Sequence, residues 1–187
     1  PRAHDGMILA DVSEKDVIGD LRQLAVGGAG RCREADVFRT NGDVDALARR
    51  RQPEFQVKGD NPLTEHYSML GPEVTEGPDG DRLGAKNTEL IEKLLRFDAV
   101  VVAGQAKSHC MAWTIDDLLE DEAAGERLAE RTYLLEDCTS PVVGPGVVAY
   151  TDEADAAFER YAAAGMHVVR STDPIESWPG LAERASA

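Results

Sequence analysis

Residues 97–119, FDAVVVAGQAKSHCMAWTIDDLL, constrain what this chain can fold into more than any other stretch. Ala99, Val100, Val101, Val102 and Ala103 form an unbroken apolar run between Asp98 and Gly104. Such a run fits a strand buried on both faces of a parallel sheet, not a strand with one wet side. Beyond Gly104 comes Cys110, and then Trp113, Ile115, Leu118 and Leu119 interleave with Asp116 and Asp117 at amphipathic helical spacing. A buried strand, a tight turn and a helix that opens on a cysteine predict an α/β protein. They also predict a reactive thiol, because the partial positive charge at a helix N-terminus favours the thiolate, the nucleophilic form. A cysteine taken singly is more often a small buried hydrophobe, so the setting is what distinguishes Cys110.

The flanking segments extend this expectation. Leu90, Ile91, Leu94 and Leu95 give residues 87–96 one apolar helical face. TYLLEDCTSPV, after Arg131, reads as a strand with Asp137 at its end. Ala154, Ala157, Phe158 and Tyr161 recur at helical spacing, with Thr151 or Asp152 to cap the start, Gly165 to end the helix and MHVVR to follow as a strand. The expected fold is an α/β three-layer, Rossmann-like domain with a mostly parallel sheet flanked by helices. Upstream, Lys58 ends an extended segment from Phe55 and enters a loop, since Gly59, Asp60, Asn61 and Pro62 are turn formers. Loops at strand ends are where open α/β sheets carry their sites.

Two of these motifs, GQAKSHC at residues 104–110 and VKGDNPLTEHYSML at residues 57–70, resemble the cysteine hydrolase superfamily of nicotinamidases and isochorismatases. Gly104 and Cys110 keep that family's spacing between the glycine after the central strand and the nucleophile. The resemblance implies Cys110 and Lys58 as catalytic residues, the lysine stabilising the thiolate and the charge that develops on the substrate. It further implies an oxyanion hole built from the backbone N–H groups of Ala106 and Cys110, commonly after a cis non-proline peptide. The activity it implies is hydrolysis of a small amide such as nicotinamide through a covalent thioester on Cys110, with isochorismatase-type vinyl ether cleavage as the alternative within the class. It extends over the region from Arg49 to Pro174 and resembles most the C-terminal half of a longer bacterial subgroup. Residues 49–187 are therefore expected to form the hydrolase domain, and residues 1–48 a poorly matched N-terminal region. Pro1 in place of a methionine fits a fragment or a processed chain.

Before residue 49 the motif pattern departs from the family's. The family's first strand ends in an aspartate that acts as general base, with a glutamine two residues on. Here Met7, Ile8, Leu9, Ala10 and Asp11 can form a short strand, but Ser13 stands where the glutamine would, and Ser13 with Asp16 reads equally as a helix cap ahead of an apolar face at Val17, Ile18, Leu21 and Leu24. Asp11 is the candidate base. A domain lacking that acid would be a catalytically incomplete binding or assembly unit. The family's metal-binding aspartate and histidines have no counterpart, since His4 and Asp5 lie at the terminus and His66, His109 and His167 sit in other motifs. No metal and no cofactor are expected.

The 187 residues are 42% hydrophobic, enough to bury one core. A formal net charge of −15 argues against nucleic acid and anionic membranes, so the expected partner is a small molecule, with a homo-oligomer implied only by resemblance. No stretch is long and apolar enough for a membrane span, and no basic start precedes a hydrophobic core, so a cytoplasmic location is expected. Cys32, Cys110 and Cys138 match no zinc or redox spacing and are expected to be reduced, with Cys138 structural. Gly27, Gly28 and Gly30 lack the lysine of a phosphate-binding loop and read as a plain loop. Ser108 beside His109 could suggest a serine hydrolase, but adjacent side chains at a helix start should point apart and the GxSxG elbow is absent. Tyr67 and Trp113 could line a pocket or belong to the core.

Overall fold

The computed structural model describes residues 7–11, 56, 58–59 and 61–181. The helical face expected at 17–24, the glycine loop at 27–30, Cys32, and the extended lead from Phe55 lie outside the described residues. In chain order the elements are β1 (Met7–Asp11), α1 (Thr88–Leu94), β2 (Val100–Gln105), α2 (Cys110–Leu119), α3 (Gly125–Ala129), β3 (Thr132–Ser140), β4 (Val143–Gly144), β5 (Val148–Ala149), α4 (Thr151–Ala163), β6 (His167–Val169) and a 3₁₀ turn (Ile175–Ser177). One sheet has the order β1-β2-β3-β6, and β4 and β5 form a separate two-stranded ribbon. Strands β2, β3 and β6 run parallel, whereas β1 is antiparallel to β2. Parallel neighbours need long crossovers, and here helices α2 and α3 connect β2 to β3, while α4 leads into β6.

The valine run is continuous because β2 is covered on both faces. Val100 and Val102 join one apolar cluster, whereas Ala99, Val101 and Ala103 join another. Leu134 of β3 belongs to the first cluster, and Tyr133 and Leu135 to the second. All four α-helices of the described residues bury side chains in the first cluster, among them Leu90, Ile115, Leu128 and Phe158. Each such fully buried large side chain stabilises the fold by about 1.5–3 kcal/mol. The second cluster is closed by Ile175, Trp178 and Leu181 from the 3₁₀ turn and the residues after it. Tyr133 stacks on Trp178 at 5.5 Å and its hydroxyl donates to the Pro179 carbonyl at 2.7 Å. The protein is thus α/β, with a parallel three-stranded core and helices packed on it.

Local expectations fare unevenly at the helix ends. Asn87 caps α1 by accepting from the Leu90 N–H, and Gly165 with φ +102° follows the C-cap Ala164 as expected. At α4, however, the N-cap is Tyr150, not Thr151 or Asp152, and it supplies no side-chain bond. Asp152 and Glu153 instead lie in the first turn, where their charge opposes the helix dipole. Among the described residues no helix is long and apolar enough to cross a membrane.

The link between α2 and α3 is held by Asp121, whose Oδ1 accepts from the Ala123 and Ala124 N–H groups at 3.1 and 3.0 Å. Its Oδ2 accepts from Lys86 Nζ at 2.7 Å, and this bond to the ammonium holds the Asp121 carboxyl below its ordinary value. A depressed folded-state value means that the stabilisation is complete above the ordinary carboxylate range and is lost as pH falls through and below it. Asp121→Asn keeps an acceptor for the two amides and removes the charge. Urea denaturation should find it less stable than the parent by about 0.2–1 kcal/mol at pH 7, the gap closing near pH ~2–3. A gap independent of pH would show that the ion pair contributes nothing.

Candidate active site

Cys110 is the first residue of α2, just beyond the carboxyl end of β2, and its thiol is partly exposed. Lys58 Nζ donates to Cys110 Sγ at 2.9 Å and to the Tyr67 carbonyl oxygen at 3.1 Å. Residues 52 positions apart in sequence therefore meet at hydrogen-bonding distance. Two acceptors hold the ammonium against the sulfur, which places a positive charge beside any oxyanion formed there.

A hydrogen bond ties the lysine segment to the cysteine helix, and others shape each of the two. The Met69 N–H donates to Thr114 Oγ1 at 3.0 Å, and that hydroxyl donates to the Cys110 carbonyl at 2.7 Å. Ser68 is buried and its Oγ accepts from the Leu70 N–H. Gly59, next to Lys58, has φ +77°, and a Cβ there would meet the His66 ring at 2.6 Å, so the Lys-Gly pair needs its glycine for backbone conformation and for space.

Between β2 and α2 the chain makes a turn tied to the end of β3. Gly104 has φ +128°, and the peptide bond between Gln105 and Ala106 is cis, the geometry that the resemblance implies at Ala106. The Lys107 N–H donates to the Ser140 carbonyl at 2.8 Å, and the Ala106 carbonyl accepts from the His109 and Met111 N–H groups at 3.0 and 3.3 Å. With its carbonyl so occupied, Ala106 sits within one tight loop with Cys110, the two residues whose amides the resemblance assigns to the oxyanion hole.

Beside the thiol lies a row of rings. Tyr67 and Trp113 have centroids 4.7 Å apart, and His109 stands edge-on to Trp113 at 5.2 Å and to Tyr150 at 4.8 Å. Tyr67, Trp113 and Tyr150 are 41%, 37% and 38% exposed, so Tyr67 and Trp113 are surface wall and not core.

The structure does not bring every expected residue to this place. In the antiparallel register Met7 pairs with Gly104 and Asp11 with Val100. Asp11 therefore lies beside the start of β2, four strand residues or about 13 Å from the Gly104 end that leads to Cys110, and is not at the thiol. A second correction concerns Ser108 and His109, which do not point apart: Ser108 Oγ lies 2.7 Å from His109 Nδ1 and accepts from the Val142 N–H at 3.0 Å. His109 is the non-helical N-cap, with φ −131° and ψ −107°, so helical side-chain geometry does not apply to the pair. Of the other histidines, His66 abuts Gly59, and His167 stacks on Tyr133 and contacts the Glu130 carbonyl oxygen. Among the described residues no group of three histidine, cysteine or acidic side chains could hold a metal. Cys138 packs beside the second apolar cluster.

Sequence reasoning missed Tyr150, whose ring lengthens the wall, and Lys107, which is only 5% exposed and bonds to Asp155. The one available signal for Lys107 was its place inside the GQAKSHC turn. No family model, curated protein or solved structure matches the chain.

Because Cys110 opens a helix with the Lys58 ammonium against its sulfur, limited iodoacetamide treatment at neutral pH should label it before Cys138 or Cys32. Lys58→Met should slow that labelling several-fold. Mass mapping that found another cysteine modified first, or a rate indifferent to Lys58, would remove the thiol–ammonium pair from consideration.

Proposed function

We propose that the chain is a cysteine hydrolase of a small amide such as nicotinamide, of the isochorismatase and nicotinamidase type, with the three-layer Rossmann-like fold of that superfamily. The observation that carries this reading is the 2.9 Å contact of Lys58 Nζ with Cys110 Sγ. The ring wall of Tyr67, Trp113, His109 and Tyr150, suited to a flat aromatic substrate, supports it. A net charge of −15 suits an uncharged small molecule better than a nucleic acid.

In the reaction the Cys110 thiolate attacks the amide carbon and a C–S bond forms, while the carbonyl oxygen takes up the negative charge. The N–H groups of Ala106 and Cys110 bind that oxyanion, and the Lys58 ammonium offsets its charge. The C–N bond then breaks, and the leaving nitrogen takes the proton that the thiol gave up, so that the amine departs neutral. Water adds to the thioester, the C–S bond breaks and the carboxylic acid departs, restoring the thiol. Isochorismatase-type vinyl ether cleavage is the other reaction of the class.

One observation favours a second reading, a domain that is catalytically incomplete and serves as a binding or assembly unit. Asp11 is beside Val100 and not beside Cys110, and an oriented acid–base group is typically worth ~10²–10⁴-fold in rate. Both readings are tested by assaying nicotinamide and related amides with the parent chain, Cys110→Ala and Asp11→Asn. Slow turnover is expected, abolished by Cys110→Ala and within about two-fold of the parent in Asp11→Asn. Turnover that survives Cys110→Ala would overturn the nucleophile. Fast turnover lost in Asp11→Asn would establish a complete triad and reject the second reading.

A further inference from the structure

The turn that carries Ala106 and Cys110 also carries a buried cation. Lys107 is only 5% exposed, and its Nζ donates to Asp155 Oδ1 of α4 at 2.6 Å and lies 4.3 Å from the centroid of the buried Phe158 ring on the same helix. Burying an ammonium is costly unless it is paired, so the lysine side chain has one favourable place, and that place is on α4. Its own backbone N–H is bonded to Ser140 of β3. Helix α4 is in turn fixed to α2 by the Tyr161 hydroxyl, which donates to the Ala112 carbonyl at 3.0 Å. The turn is therefore held at Lys107 by two elements, β3 and α4, and neither contact involves the thiol or Lys58.

Taking Cys110 as the nucleophile and the Ala106 and Cys110 amides as the oxyanion hole, we propose that Lys107 is a positioning residue whose ammonium, clamped by Asp155 and Phe158, sets the hole without touching the substrate. Displacing oriented groups by as little as 1 Å can cost about 10²-fold. The clamp should thus govern binding of an oxyanion-like oxygen while leaving the reactivity of the sulfur to Lys58.

An aromatic aldehyde separates the two. Cys110 Sγ adds to the aldehyde carbon, the C=O π bond opens and the oxygen takes the thiol proton, giving a reversible thiohemiacetal whose oxygen occupies the hole. Alkylation by iodoacetamide needs the thiolate and not the hole. With pyridine-3-carbaldehyde as the probe, and protection of Cys110 from iodoacetamide as the readout, Lys107→Met should weaken aldehyde binding about ten-fold or more while the alkylation rate without aldehyde stays within about two-fold. Lys107→Arg, which keeps the cation, should recover most of the loss. Asp155→Asn should weaken the aldehyde similarly, and it should lower stability more than Lys107→Met does, because it strands a buried charge whereas Lys107→Met leaves a carboxylate that is 59% exposed. If Lys107→Met does not fold, Asp155→Asn and Lys107→Arg decide by the same two readouts. Aldehyde binding unchanged in the clamp variants, or falling in step with alkylation, would overturn the positioning role while leaving the nucleophile intact. A parent chain whose Cys110 gains no protection from the aldehyde would instead overturn the hydrolase reading and the clamp with it.

Discussion

One hydroxyl joins the two halves of the site. Thr114 Oγ1 receives the Met69 amide and hands its own hydrogen to the Cys110 carbonyl, so the segment that delivers Lys58 and the helix that delivers the thiol share a buried group. Because the hydroxyl serves as both acceptor and donor inside a covered surface, each bond secures a polar group that would otherwise be costly to bury. The Lys58 ammonium that meets Cys110 is held on its other side by the Tyr67 carbonyl, and Gly59 leaves the His66 ring the space that a Cβ would take.

The parts that were legible in the sequence are those where burial writes a pattern. The valine run announced β2 because both of its faces are covered, and α1 and α4 announced themselves by residues that recur on one face. Strand direction leaves no such trace: MILAD carries the same apolar residues whichever way it runs, so nothing in it disclosed that Asp11 would face Val100. The Tyr150 cap was hidden for a related reason. A helix start is fixed by which carbonyl begins the ladder, here that of Tyr150 accepting from Ala154, and the capping side chains of Thr151 and Asp152 were available but unused.

Lysine 107 shows the opposite limit. A lysine among polar residues reads as solvated, and only the three-dimensional approach of α4 supplies the carboxylate and ring that make its burial tolerable. In a chain with an excess of acid, the two lysines of the site are matched to different partners, Lys58 to sulfur and Lys107 to a helix carboxylate. The local charge at the turn is therefore distinct from the acidic character of the chain as a whole, and the pairing, more than the composition, decides what can approach the thiol.

The two tryptophans of the chain stand on opposite sides of the sheet, Trp113 in the ring row beside Cys110 and Trp178 sealed against Tyr133. Their surroundings differ in polarity, the first indole being 37% exposed and the second 5%. The molecule thus carries two intrinsic fluorophores with separable emission: a red-shifted one that an occupant of the ring row would quench, and a blue-shifted one that responds when the far face of the sheet opens.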